Sequence, residues 1–107
     1  MAELSFSLHA SQTLEDLMGR MEAHDALLDL DMDLADGVLT VVFEDDSRII
    51  LNRQEGARQL WMASPLGPAH FGFDPGSGRW IDDKTGEGLI ETLERALTLK
   101  VGEAIKL

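Results

Sequence analysis

Between Asp29 and Met62 the apolar residues fall again and again on every second position. Leu30, Met32 and Leu34 alternate with Asp29, Asp31 and Asp33; then come Leu39, Val41 and Phe43, then Ile49 and Leu51, then Leu60 and Met62. Period two belongs to an extended strand, whose side chains point alternately to opposite faces. This pattern therefore demands a sheet with one buried face. The first strand starts at Asp29, and Val38 to Phe43, Ser47 to Asn52 and Gln59 to Ser64 follow it. Asp36-Gly37 is a two-residue hairpin signal, Asp45-Asp46 a polar turn, and Gly56 marks a short loop. After the break at Pro65-Leu66-Gly67-Pro68, two shorter strands are expected at Ala69–Phe73 and Arg79–Asp82. Consecutive strands joined by short turns pair antiparallel.

The flanks change period. Phe6, Ala10, Leu14, Leu17 and Met21 are spaced by three or four and make one stripe of an amphipathic helix. Leu89, Leu93 and Leu97, supported by Ile90, mark a second helix from about Glu87 to Thr98, and Val101 to Leu107 keeps enough apolar residues to pack back on the fold. Both helices need an apolar surface, and one face of the sheet supplies it. The expectation is an α+β fold: a two-layer sandwich with two helices on one face of an antiparallel sheet and the other face open to solvent. A length of 107 residues suits a single domain spanning 1–107, without linker or repeat.

Charge is distributed unevenly. The net charge is −11, and residues 1–46 hold twelve acids against one base, Arg20, while residues 47–107 hold eight of each. Such a surface disfavours nucleic acid and anionic membrane and favours cations or basic protein patches. The absence of cysteine excludes disulfides, thiol catalysis and thiolate metal sites. The N-terminal residues show no leader pattern and no stretch reaches membrane-spanning length, so a soluble cytoplasmic protein is expected.

Two constellations stand out. Asp29, Asp31 and Asp33 are expected on one side of a strand, with Glu22 and Asp25 just before it. Hard cations prefer carboxylate oxygens, so this edge suits shallow binding of iron or another divalent ion, against the plainer alternative of a solvated acidic face. It is not an EF-hand, because the positions that need Gly and Glu are Leu34 and Thr40. The second constellation lies on the open sheet face. With Ile49, Leu51, Leu60 and Met62 turned to the core, Asn52 and Trp61 turn outward, and an outward tryptophan among polar residues is an interaction anchor, against the alternative of a shifted register that buries Trp61 in the core. No catalytic set is present: His9, His24 and His70 form no metal motif, and Gly76-Ser77-Gly78 is a turn.

The stretches Gly37-Val38-Leu39-Thr40, Ile49-Ile50-Leu51-Asn52-Arg53-Gln54-Glu55 and Gln59-Leu60-Trp61-Met62-Ala63 resemble the frataxins. So do Gly67-Pro68-Ala69-His70-Phe71, Trp80-Ile81 and Thr85-Gly86-Glu87, and the likeness covers nearly the whole chain. The resemblance implies a non-enzymatic protein of the bacterial branch. Such a protein would bind ferrous and ferric iron weakly on an acidic ridge and dock on the cysteine desulfurase and iron–sulfur scaffold protein. It would be a monomer with iron-dependent oligomers. Carried over by position, the ridge is Glu15, Glu22, Asp25, Asp29, Asp31 and Asp33, and the partner face is Asn52, Gln54 and Trp61. Gly19 and Ala23 stand where the family often has acids, and Gly56 where it usually has proline.

Overall fold

The computed structural model describes residues 5–107. Helix α1 (Phe6–Glu22) is followed by a 3₁₀ turn at Asp25–Leu27. Six strands come next, β1 (Asp31–Ala35), β2 (Val38–Val42), β3 (Arg48–Gln54), β4 (Gln59–Ala63), β5 (Ala69–Asp74) and β6 (Arg79–Asp82), and helix α2 (Leu89–Val101) ends the order. The strands form one antiparallel meander in which spatial order equals chain order. Both helices bury their stripes, Ala10, Leu14, Leu17 and Met21 from α1 and Leu89, Leu93, Ala96 and Leu97 from α2, against Leu39, Val41, Ile49, Leu51, Leu60, Met62 and Phe71 of the sheet. This is the α+β sandwich the periodicity calls for.

Local chemistry sets the ends. Ser5 caps α1 by accepting from the Leu8 N–H at 3.2 Å. The β1–β2 hairpin holds Asp36 at φ 52° and Gly37 at φ 76°, both left-handed, as a type I′ turn requires. Gly37 also lies against the Arg53 guanidinium, which a Cβ would meet at 2.9 Å. Ile105 of the C-terminal tail is buried in the same core.

Several element ends shift by one to three residues from the sequence expectation, and two of the shifts move acidic residues. The first strand begins at Asp31 rather than Asp29, because Asp25–Leu27 winds into a 3₁₀ turn that buries Leu27 and leaves Asp29 on the turn that follows. Helix α2 begins at Leu89 rather than Glu87. Residues 87 and 88 are held extended along β6, where the Asp82 N–H donates to the Glu87 carbonyl at 2.8 Å and Gly88 bridges Ile81.

Candidate functional site

The acidic residues of the first half form an exposed rim around α1 and β1. Glu15 and Glu22 lie on the outer side of α1, Asp25 opens the 3₁₀ turn, Asp29 follows on the turn, and Asp31 and Asp33 project from β1; all six are exposed. Four of them line three separate shallow grooves. Glu22 shares one with Asp31, beside Leu27 and Met32. Glu15 shares another with Asp36. Asp29 lines a third with Glu44, Asp45 and Lys100. The strand face expected to carry Asp29, Asp31 and Asp33 together thus carries Asp31 and Asp33 alone.

None of the six carboxylates forms an ion pair among the described residues. Arg20, the one base in residues 1–46, is taken by Asp16 one helical turn away at 3.0 Å. Among the described residues no three acidic or histidine side chains converge on a point where they could hold a metal ion. The nearby histidines are engaged elsewhere. His24 Nδ1 accepts from the Ala26 N–H at 3.3 Å and caps the 3₁₀ turn. His9 lies against Phe73 and Trp80, with ring centroids 4.4 and 5.1 Å away.

The open face of the sheet is built by register. Asn52 pairs with Trp61 across β3 and β4, and Trp61 with His70 across β4 and β5. Asp83, next to Asp82 of β6, continues this row and donates its N–H to the His70 carbonyl at 3.0 Å. Trp61 is half-buried rather than fully open, because its ring stacks on the His70 imidazole with centroids 4.4 Å apart and planes inclined by 26°. The indole Nε1–H donates to Gln59 Oε1 at 2.8 Å, and Gln59 Nε2 donates to Asp83 Oδ2 at 3.1 Å. Gln54 ends β3 opposite Gln59. The same alternation turns Asp31 and Asp33 to this face, since Met32 and Leu34 pack against the core. Asp33 is three strands across the sheet from Trp61, about 14 Å at the usual inter-strand spacing, and two residues further along. Gln59, His70 and Asp83 complete the surroundings of Trp61. Gln59 was legible as a same-face neighbour two residues away, whereas His70 and Asp83 reach the row only through the β4–β5–β6 register.

Carboxylates in the second half are used differently. Asp82 is buried at 7% exposure. Its Oδ1 accepts from the His70 N–H at 2.9 Å, and its Oδ2 from the Thr85 N–H and hydroxyl at 2.8 and 2.9 Å and the Lys84 N–H at 3.2 Å. Burial pushes its acidity one way, towards the neutral acid, but these hydrogen bonds outweigh it and hold the carboxyl below its ordinary value. Glu87 is likewise held low, first by the Arg95 guanidinium, which contacts it at 2.7 and 3.0 Å, against the opposing effect of burial.

Comparison with known proteins bears on the family and the fold. The frataxin-like domain model matches residues 1–103. The chain is 59% identical to the iron–sulfur cluster assembly protein CyaY of Thioalkalivibrio sulfidiphilus over all of both chains, and 46% identical to that of Pseudomonas entomophila over 88% of this chain and 81% of the relative. Among solved structures, frataxin from Psychromonas ingrahamii superposes with a TM-score of 0.76 at 26% identity, covering 94% of this chain and 95% of its own. Trimeric frataxin from Saccharomyces cerevisiae, in a ferrous complex, gives 0.69 at 26% identity, covering 96% and 90%. The chain belongs to the frataxin-like family.

Proposed function

We propose that this chain is a non-enzymatic iron-binding protein of the cytoplasm that modulates iron–sulfur cluster assembly. It acts as iron donor or sensor, or as regulator of the cysteine desulfurase–scaffold complex, and its 107 residues work as one frataxin-like unit. The observation that carries this reading is the unpaired rim: Glu15, Glu22, Asp25, Asp29, Asp31 and Asp33 are exposed and lack basic partners among the described residues, while Asp82 and Glu87 are saturated with donors. Surface carboxylates without a cage bind hard cations weakly and exchangeably, which suits a cargo that must be released. The name of the 59% identical relative supports the assembly role. Asn52, Gln54 and Trp61 form the partner face beside the rim. Titration with Fe²⁺ or Co²⁺, followed by amide shifts, should perturb Glu22, Asp31 and Asp33 first. First shifts within residues 50–64 would contradict the assignment.

A second reading is favoured by the lack of any converging set of three metal ligands among the described residues. In it the rim is an acidic docking surface for a basic protein patch, and metal binding is incidental. Reversal of Asp29 and Asp31 to Lys separates the two. If partner binding in the presence of chelator falls about tenfold or more, docking is a direct role of these charges.

A further inference from the structure

The indole of Trp61 has one hydrogen-bond donor, and the protein itself already uses it. Gln59 takes the Nε1–H at 2.8 Å, and Asp83 in turn takes the Gln59 amide at 3.1 Å. The amide cannot satisfy both neighbours if it is flipped: its oxygen must face the indole and its nitrogen the carboxylate. Asp83 therefore fixes the orientation of Gln59, and Gln59 fixes the indole. The β5 residue opposite Gln59 is Gly72, so no β5 side chain stands directly beside Gln59 on this face. His70 covers one face of the ring at 4.4 Å. Asp83 is itself located by its N–H bond to the His70 carbonyl at 3.0 Å. The ring is thus held at its N–H edge and on one face before any partner arrives.

We infer that Asp83 and Gln59 are positioning residues for partner docking: they lock Trp61 in one orientation so that binding does not have to order it. This inference rests on the assignment of the Trp61 face as the partner surface. Immobilising a rotamer-rich side chain at an interface opposes binding, and presetting it removes that opposition. A second consequence is that the partner meets the outer ring face and edge of Trp61 rather than its N–H.

The test uses the full chain and the purified cysteine desulfurase–scaffold complex. Asp83→Ala should weaken binding about three- to tenfold, the range expected for one net hydrogen bond, with little change in melting temperature. Asp83→Asn keeps an acceptor for the Gln59 amide and should restore most of the affinity. The indole N–H resonance of Trp61, identified by its absence in Trp61→Phe, should shift and exchange faster with solvent in Asp83→Ala. That of Trp80, bonded to Thr13 Oγ1 at 3.1 Å, should not move. If Trp61→Ala weakens binding but Asp83→Ala does not, the positioning role is wrong and the partner face stands. If Trp61→Ala leaves binding unchanged, the partner face is wrong and the positioning role falls with it.

Discussion

The α1–β1 rim and the β6–α2 connection both are rich in acids, and they treat them in opposite ways. In the connection, Asp82 is buried and collects four hydrogen bonds, and Glu87 is clamped by Arg95 and Thr92. On the rim, six carboxylates face solvent and none forms an ion pair among the described residues. An acid that serves the fold is recognisable by its saturated donors. Acids crowded together without partners cost stability through repulsion, and that arrangement is what a cation or a basic partner would relieve.

The sharpest way to break the comparison is Asp82→Ala. It would leave the His70, Lys84 and Thr85 N–H groups without their acceptor, at about 1–3 kcal/mol for each buried group that water fails to reach, so a total loss of about 2–4 kcal/mol is expected in chemical denaturation. The same substitution at Asp33, exposed on β1, should change stability by less than about 0.5 kcal/mol. Equal losses at the two positions would erase the distinction.

The pH dependence sharpens it further. The folded state holds Asp82 below its ordinary value of 3.8 and Glu87 below 4.5. Groups depressed by folding stabilise the protein above their unfolded values, and the contribution disappears as pH falls through the folded values. The unfolding free energy should therefore be steady in this respect above about pH 5 and fall below about pH 4. Asp82→Asn, followed by urea denaturation at each pH, should show a shallower acid-side fall than the parent chain. An unchanged slope would mean that Asp82 carries none of it.

The smallest expected effect is on the rim. Added salt screens repulsion between exposed charges, so the melting temperature should rise by roughly 2–5 °C from low to high ionic strength, less the small loss from surface pairs such as Arg20–Asp16. A fall in melting temperature would show that the rim acids are not crowded in the folded state.

Most of the fold was legible because period and turn chemistry agreed. Leu39, Val41, Ile49, Leu51, Leu60 and Met62 all face the core as their alternation requires, and Asp36-Gly37 makes its hairpin. What was not legible depended on distant parts of the chain. Glu87 reads as helix by local pattern, yet β6 draws residues 87 and 88 into an extended pairing. Asp29 reads as strand, yet burial of Leu27 winds the chain into a 3₁₀ turn just before it. At the sheet face, Asn52 and Trp61 followed from alternation within two strands. His70 and Asp83 needed the register of three, which no single-strand pattern contains.

Because chain order and spatial order of the six strands coincide, each pairing closes only a short loop. Contacts near in sequence form quickly, since little chain entropy is lost before they begin to hold. The N-terminal helix is the exception: the bond from Trp80 to Thr13 spans 67 residues. The sheet is therefore expected to zip up hairpin by hairpin, with α1 settling against Trp80 late in the folding reaction. Mutations such as Thr13→Ala would then speed unfolding more than they slow folding.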